Sequence, residues 1–396
     1  MKHWVRLLPF ALLLFILPFP GTVMLRLLTL AAGLVACAWS WRKYGFPQIP
    51  ARWALLLWAG CALLSLAFAV DPDYSLGEIK NEIGYTMAAY LGFVTLTRTR
   101  ADARFLVTGL VLGSMVLPVL ALWGYVFSDM AYWNERGLAG GSGSYSTYLL
   151  ALLPALLWAG SVLRHRLRWH LVTGLIGLQL VVAGLAGQRT YWLVFALQAL
   201  CALYLLRARG LIAIPATRLR ALGALVVVLS AVAVTGAAVK RDMVDWTEDP
   251  RLSTWPAVAE RILEHPLVGK GFGREAMKKA YPDLLSRESR EVQHAHNLFL
   301  NYGLSMGVPG MIAILLVFFA LLRRFRAISQ AEDRVTAMAG ICGLLLLLGV
   351  VARNLTNDFF VRDLSLLFWS IAGMLLGYAQ NAHDAPGASA RDDAAE

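Results

Sequence analysis

Apolar residues occur along this 396-residue chain in long runs that short polar segments separate. A helix needs about 20 mostly apolar residues to cross the ~30 Å hydrocarbon core of a bilayer. About twelve runs approach that length, near residues 4–20, 21–41, 52–70, 83–97, 104–127, 144–163, 168–187, 190–206, 219–239, 300–322, 335–352 and 364–379. The pattern therefore predicts an all-α polytopic membrane protein with about twelve transmembrane helices.

One polar segment, residues 240–295, is much longer than the other connections and contains several aromatic residues and prolines. Ser253 or Thr254 is expected to cap a short helix with Pro256 in its first turn. That helix should end before Pro266, and its apolar stripe should consist of Ala257, Ile262 and Leu263. The segment is therefore predicted to be a small, partly helical module.

The chain is accordingly divided into four parts. Transmembrane helices 1–9 occupy residues 1–239, the long loop module residues 240–295, and transmembrane helices 10–12 residues 296–380. Residues 381–396 are small and polar and are expected to form a disordered cytoplasmic tail. The four cysteines show no metal-ligand or redox spacing, so neither a zinc site nor a disulfide framework is expected.

Hydrophobic residues make up 58% of the chain and charged residues only 15%, with a formal net charge of +11. Such an excess of positive charge could indicate a nucleic-acid partner if it formed one patch. Instead, loops rich in lysine and arginine alternate with loops that are acidic or carry little charge. Because cytoplasmic loops retain positive charge, both termini and the basic loops are predicted to be cytoplasmic, and residues 240–295 to lie outside. The distribution of positive charge between the loops therefore indicates the membrane topology, and no nucleic-acid partner is expected.

His294 and His296 lie where the long loop re-enters the membrane. A histidine can change its charge near neutral pH, which suits a general base, although either residue could simply anchor a helix end at the headgroups. Behind them, Gly303, Gly307 and Gly310 recur at about one helical turn. Their spacing predicts close approach by another helix.

Three arginines on the outer side are candidates for binding an anion. Arg189 occupies a very short outer turn, Arg251 precedes the expected short helix, and Arg136 adjoins a glycine-rich segment. A guanidinium binds diphosphate oxygens in a bidentate manner, whereas the alternative for Arg189 is contact with lipid phosphate. The only acidic cluster in the long loop (Asp242, Asp245, Glu248 and Asp249) has no metal-site spacing and is interpreted as a solvated face. Residues 269–273 are interpreted as a turn and not as a phosphate-binding loop.

Together these motifs resemble the bacterial O-antigen ligases. His296 and Asn297 are followed by nine residues and then by Gly307-Val308-Pro309-Gly310, which is similar to the family's pattern of histidine, a small polar residue, nine residues and Gly-x-x-Gly. Residues 251–273 resemble the family's segment ahead of that histidine. Gly187-Gln188-Arg189 resembles its boundary arginine, and Arg136-Gly137 is a looser match.

The resemblance implies a GT-C-like, inverting, metal-independent glycosyltransferase of the bacterial inner membrane, without a cofactor and with its active site facing the periplasm. Its donor would be an O-antigen polysaccharide on undecaprenyl diphosphate, and its acceptor a sugar of the lipid A-core. His296 would deprotonate the acceptor hydroxyl, Arg189 and Arg251 would hold the diphosphate with Arg136 as a further candidate, and His294 and Asn297 are secondary candidates.

Two alternatives remain at the level of the sequence. An O-antigen polymerase or a protein O-oligosaccharyltransferase would use the same donor with another acceptor. A transporter of lipid-linked saccharides would instead carry charged residues in the middle of several spans, where Arg26 is the clearest example.

Overall fold

The computed structural model describes residues 3–127, 141–164, 166, 168–240, 250–284, 294–358, 360 and 362–383. Within these ranges the secondary structure is entirely helical. The fifteen described α-helices are α1 His3–Ile16, α2 Val23–Tyr44, α3 Arg52–Ser65, α4 Pro72–Glu78, α5 Tyr85–Leu96, α6 Arg100–Phe127, α7 Ser142–Val162, α8 Arg168–Ala186, α9 Arg189–Ala208, α10 Ala216–Lys240, α11 Pro250–Glu264, α12 Ala276–Ala280, α13 Leu298–Ile328, α14 Arg334–Asn354 and α15 Arg362–His383. A π-helix, Ile79–Gly84, joins α4 to α5, and short 3₁₀ turns occupy Leu66–Phe68 and Pro282–Leu284.

The prediction of a polytopic helical membrane protein is confirmed. Among the described residues, eight helices are long and apolar enough to cross a membrane, namely α2, α6, α7, α8, α9, α10, α13 and α14. The helical segments Trp4–Ile16 and Arg52–Phe68 are apolar but shorter. Each of the twelve predicted runs contains one helix, but the count of twelve crossings stays a prediction.

The bundle is built around α13, which packs against α3 and α14, while α15 packs along α5 and α1 along α6. Trp58, Trp158 and Trp369 are wholly buried between these helices. In contrast, α10 packs mainly on α9 and leaves most of its apolar side chains exposed. Exposed apolar side chains at this density are expected where the solvent is lipid.

Contacts between loops divide the bundle into two ends. At one end, called here the module end, Val70 N donates to Lys270 O at 3.0 Å and Asn297 Nδ2 donates to Leu355 O at 2.9 Å. At the other, called the basic end, Arg209 Nη2 donates to Ala331 O at 3.1 Å. Each contact joins loops that the charge pattern assigns to the same side, which supports the alternation of loops.

The long loop is folded on the module end, as predicted, but its helix differs from the expectation. Helix α11 begins at Pro250, so Ser253 and Thr254 lie inside it and do not cap it. The prediction that Leu263 belongs to the buried stripe is wrong, because that side chain is 73% exposed, whereas Val258 and Ile262 are buried. Pro250 takes the first helical position, where a missing N–H costs nothing. The acidic cluster at residues 242–249 lies outside the described residues.

Helix α13 is broken at Gly307, whose φ is +73°. Residues 266–271 of the long loop bond across this break: Lys270 N donates to Leu304 O at 2.9 Å and Val308 N donates to Pro266 O at 2.8 Å. A Cβ on Gly307 would lie 2.7 Å from the backbone of Leu267. The expectation that another transmembrane helix packs on this glycine is therefore wrong, since the partner is the backbone of the loop.

The other two glycines of α13 also have local partners. A Cβ on Gly303 would lie 2.6 Å from Ile262 of α11, and one on Gly310 would lie 2.2 Å from Met306 of the same helix. The small residues therefore accommodate the module and the break in α13. They have this role because the long loop, rather than a second span, covers this part of the helix.

Two further expectations are corrected. Arg26 does not lie in the middle of a span but in the first turn of α2, where its guanidinium donates to Leu17 O at 3.1 Å and pairs with Asp363. The carboxylate of Asp363 offsets the charge of this buried cation, and the carbonyls of Leu17 and Phe19 accept from its Nη2. At the C-terminus, α15 continues to His383, beyond the predicted start of the tail at residue 381, and residues 384–396 lie outside the described part of the chain.

Candidate functional site

The site begins where the long loop enters α13. Asn297 caps this helix: its Oδ1 accepts hydrogen bonds from Phe299 N at 2.9 Å and Leu300 N at 3.2 Å. Its Nδ2 donates to Leu355 O, which fixes the segment after α14 beside the start of α13. A side-chain amide can serve both purposes because it carries an acceptor and two donors. Asn297 therefore positions the backbone at the start of α13.

The spacing of the sequence motif has a geometric explanation. The nine residues between Asn297 and Gly307 form the first half of α13, which ends at the break. This half-helix holds the histidines at its start, and the long loop bonds to its end. Trp255 Nε1 of α11 donates to Ala295 O at 3.0 Å and ties the module to the backbone between the two histidines. The motif thus specifies a half-helix of fixed length with both ends anchored.

Beside this start lies a group of three residues, called here the His–Asp–Arg cluster: the buried Asp358 and the partly buried His294 and Arg274. Asp358 is completely buried. Its Oδ1 accepts from Arg274 Nε at 3.1 Å and lies 3.0 Å from Arg274 Nη2. Its Oδ2 lies 3.0 Å from His294 Nδ1. A buried carboxylate requires such partners, since an uncompensated charge would be very costly there.

Both ring nitrogens of His294 are occupied. Nη2 of Arg274 contacts Nε2, and because a guanidinium can only donate, Nε2 must accept. Nδ1 lies 3.0 Å from Asp358 Oδ2 and 3.3 Å from the backbone N of His296. His294 thus joins the arginine to the aspartate and has no nitrogen left to accept a proton from a substrate.

The cluster favours the ionised form of its aspartate. Burial of the Asp358 carboxyl opposes ionisation, but the hydrogen bond from His294 and the charge of Arg274 outweigh it and hold the pKa of Asp358 below its usual value. Desolvation and specific charge partners commonly occur together at functional sites. Asp358 is accordingly a fixed negative charge next to two histidines.

His296 lies against this cluster. Its ring centroid is 3.9 Å from that of His294, with the two planes tilted by 48°. Its backbone has φ +47°, one of three described non-glycine residues with positive φ. Such a conformation costs about 1 kcal/mol or more and often occurs at functional positions. His296, half-buried and adjacent to a fixed negative charge, is well suited to become an imidazolium.

The predicted anion-binding arginines lie at helix starts. Arg251 is in the first turn of α11, one turn before Trp255, so both residues share the helix face that contacts the histidine segment. Arg189 is the first residue of α9, and the preceding Gln188 donates to Ser142 Oγ at 3.0 Å near the start of α7. Helix N-termini favour anions, which strengthens these positions. Arg136 lies outside the described residues.

The structure thus brings His294, His296 and Asn297 together and places Arg189 and Arg251 at the first turns of two other helices. Arg274 and Asp358 were not predicted from the sequence to belong to the site. Arg274 directly follows the turn at residues 269–273, and Asp358 lies in a short loop between two apolar runs. Only the fold shows that these two residues, 84 positions apart, form an ion pair.

The same region offers ligand atoms for a metal ion. Those of His294, His296 and Asp358 lie within 4.8 Å of one another. Arg274, however, contacts both His294 and Asp358 and supplies a fixed positive charge where a dication would be bound. Because like charges repel strongly at a buried site, we assign the cluster to acid–base chemistry rather than to metal binding.

These features define a polytopic helical membrane protein with a buried histidine, aspartate and arginine site at the module end of its bundle. Residues 174–315 match the family model described as O-antigen ligase. This stretch is therefore similar to the O-antigen ligase family, which confirms the resemblance of its motifs. The matched stretch contains both histidines, Arg189, Arg251 and Arg274, whereas Asp358 lies beyond it. No curated protein matches the chain with significant similarity.

Proposed function

We propose that the chain transfers an O-antigen polysaccharide from undecaprenyl diphosphate to a sugar of the lipid A-core, as an inverting glycosyltransferase. The observation that carries this proposal is the position of His296, next to a His294 whose ring nitrogens are both occupied. Of the two histidines in the motif, His296 is therefore the one assigned the role of base. The family match supports transfer chemistry of the O-antigen ligase and polymerase type.

The reaction needs a base because a sugar hydroxyl is a weak nucleophile at neutral pH. His296 takes the proton of the acceptor hydroxyl, and the oxygen of that hydroxyl attacks the anomeric carbon of the donor. The bond from that carbon to the diphosphate breaks, and the diphosphate leaves with the electron pair. The negative charge of Asp358 stabilises the imidazolium that forms on His296, and such a base contributes about 10² to 10⁴ to the rate.

The leaving diphosphate gains negative charge, which fixed cations can stabilise without a metal ion. Arg189 and Arg251 are assigned this task because each lies at a helix start that favours anions. Protonation of the leaving oxygen is unnecessary, since a diphosphate is already a good leaving group. The reaction therefore does not require the pair of carboxylic acids that a glycoside hydrolase uses.

We further propose that the module end faces the periplasm and that both termini are cytoplasmic. The basic loops gather at the opposite end, which supports this orientation in a bacterial inner membrane. A transporter is less well supported. Of the buried charged side chains in the described helices, Arg6, Arg26, Asp102 and Arg353 lie in first or last turns, and Glu78 and Glu82 precede the predicted span 83–97.

The test is a reconstitution with lipid-linked O-antigen as donor and three acceptors in separate reactions: lipid A-core, a second lipid-linked polymer, and a protein. Product on lipid A-core alone is expected, and product on another acceptor would identify a polymerase or a protein transferase instead. His296→Ala should reduce transfer by about 10² to 10⁴. His265→Ala, at an exposed histidine after α11, is the matched control. Undiminished transfer by His296→Ala would refute its role as base.

A further inference from the structure

An open groove lies at the basic end of the bundle, where α9 connects to α10. It has a volume of about 470 Å³ and is lined by residues 213–215 of the connection and by Arg218, Ala221, Leu222 and Leu225 of α10. All of these residues are exposed except Ile214, which is partly covered. The groove lies at the opposite end of the bundle from the His–Asp–Arg cluster, so it has no part in the reaction proposed above.

The connection that forms one wall of the groove is fixed by arginine side chains. Arg207 Nη1 donates to Ile214 O, and Arg334 Nη2 of α14 donates to Leu211 O at 3.1 Å. Arg209 bonds to the loop that follows α13. The wall is therefore held in place by the protein itself, and such preorganisation lowers the free-energy cost of binding a ligand.

Positive charge is in excess around the groove. Residues 207–220 and 326–334, the two connections that meet at this end, contain six arginines and two acidic residues. One of the two acidic residues, Asp333, caps α14 by accepting from Thr336 N at 2.7 Å. Arg218 lines the groove itself and is exposed. The charge around the groove is therefore complementary to an anion.

The rest of the groove is apolar, and its apolar surface continues along α10. The exposed side chains of this surface are Leu222, Leu225, Leu229 and Val232. Together with Arg218 they recur at intervals of three and four residues, so they share one face of the helix. At 1.5 Å per residue this face extends ~21 Å from Arg218, which is more than half of the ~30 Å hydrocarbon core. A cation followed by an apolar face of this length fits a phospholipid.

We propose that the groove binds one anionic phospholipid from the leaflet that meets the basic end. Arg218 binds its phosphate, because a planar guanidinium can donate two parallel hydrogen bonds to phosphate oxygens. One acyl chain lies over Leu222 and Leu225 and follows the exposed face of α10. A zwitterionic lipid fits less well, since the excess of arginine repels its positive group. The lipid therefore stabilises α10, which packs mainly on α9.

Native mass spectrometry of the full chain in detergent measures this binding directly. Phosphatidylglycerol should bind at a lower concentration than phosphatidylcholine with the same acyl chains. Arg218→Gln should weaken binding of the first phosphatidylglycerol by about 10-fold, the effect of losing one charge-assisted hydrogen bond. Arg326→Gln makes the same change of charge at an exposed arginine of α13 and should leave this binding unchanged. Equal binding of the two lipids to the wild type, or equal binding to the two variants, would overturn the proposal.

A groove-filling substitution tests the shape of the site separately from its charge. Ala221→Trp retains every arginine but fills the groove, whereas Ala224→Trp places the same side chain at an exposed position of α10 outside it. Phosphatidylglycerol should bind Ala224→Trp as it binds the wild type. It should bind Ala221→Trp about 10-fold more weakly, which corresponds to the loss of about two buried methylene groups. Equal binding to both variants would show that diffuse charge alone attracts the lipid and would overturn the proposal.

Thermal unfolding distinguishes a lipid from a free anion. A ligand that binds only the folded protein raises its unfolding temperature. Phosphatidylglycerol should raise the unfolding temperature of the wild type more than that of Arg218→Gln. Inorganic phosphate at the same concentration should leave both unchanged because it has no acyl chain, and stabilisation by phosphate equal to that by the lipid would overturn the proposal. None of these measurements involves the transfer reaction, so their results leave the proposed function untouched.

Discussion

Two completely buried aspartates pair with arginines at opposite ends of the bundle. At the basic end, Asp102 Oδ1 accepts from Arg6 Nη2 at 2.8 Å, and at the module end Asp358 Oδ1 lies 3.0 Å from Arg274 Nη2. Their second oxygens differ. Asp102 Oδ2 accepts from Thr99 N at 2.8 Å, whereas Asp358 Oδ2 lies 3.0 Å from His294.

This difference separates a structural ion pair from a reactive one. The partners of Asp102 are an arginine, backbone N–H groups and a hydroxyl, none of which changes charge near neutral pH, so the pair fixes the start of α6 to α1. The partner of Asp358 is a histidine whose ring lies against that of a second histidine. A buried Asp–Arg pair is therefore a candidate for chemistry when it adjoins a group suited to acid–base catalysis.

The strongest test of this contrast compares Asp358→Asn with Asp102→Asn. Asp358→Asn removes the charge that stabilises the imidazolium, so transfer per folded molecule should fall by about 10²-fold. Asp102→Asn breaks a structural pair and should lower the free energy of unfolding by about 3–5 kcal/mol with little change in transfer per folded molecule. Rates should be normalised to folded protein measured by thermal unfolding. Equal transfer rates per folded molecule in the two variants would contradict the distinction between a structural and a reactive ion pair.

The arginines provide the next comparison between the two ends. Arg189→Ala combined with Arg251→Ala should weaken donor binding by about 10²-fold to 10⁴-fold, since each charge-assisted contact contributes about 1.5–3 kcal/mol. Binding of lipid-linked donor can be measured directly by calorimetry or by the donor KM. Arg209→Ala combined with Arg334→Ala, at the basic end, is the control. Donor affinity retained in the first pair would contradict the assignment to the diphosphate.

A substitution at Gly307 tests whether the break in α13 is needed to hold the site. Gly307→Ala places a Cβ at positive φ and 2.7 Å from the loop backbone, so it should destabilise the protein by about 1–3 kcal/mol. Gly177→Ala, in α8 with open space around it, should not be destabilising. Thermal unfolding in detergent measures both. Equal unfolding temperatures would show that the loop does not depend on the break.

The smallest effect is expected when divalent metal ions are removed with a chelator. Because Arg274 occupies the position where a cation would bind His294 and Asp358, we expect full transfer activity in the presence of a chelator. The assay should use donor and acceptor stripped of divalent ions, with added Mg²⁺ as the comparison. Activity that requires added metal would contradict both the arginine assignment and the acid–base interpretation of the cluster.

The hydrophobic pattern was sufficient to predict most of the architecture. Each apolar run contains a helix, because a bilayer forces the backbone of a spanning segment to satisfy its own hydrogen bonds. Charge sorting correctly grouped loops such as those that meet through Val70 and Lys270. The start of α11 was placed too late because Pro250 competes with Ser253 and Thr254 as a helix-start signal. Leu263 is exposed because burial of an apolar side chain on α11 depends on which neighbouring elements cover it.

The candidate site was only partly predictable. His296 and Asn297 could be predicted because they form a short motif at a membrane boundary. Asp358 and Arg274 could not be predicted, since their roles depend on a contact between segments that are distant in sequence. The glycines of α13 were recognised as packing positions, but a sequence cannot show whether a helix or a loop approaches them.

Chemical rescue of His296→Ala is the most direct test of the central claim, that His296 is the base. In the reconstituted transfer reaction, added imidazole should diffuse into the vacated space and restore part of the rate, increasing with imidazole concentration. The same imidazole should not restore Arg189→Ala, whose defect is in diphosphate binding. A His296→Ala variant that imidazole leaves inactive, or that transfers at the wild-type rate without it, would contradict the account.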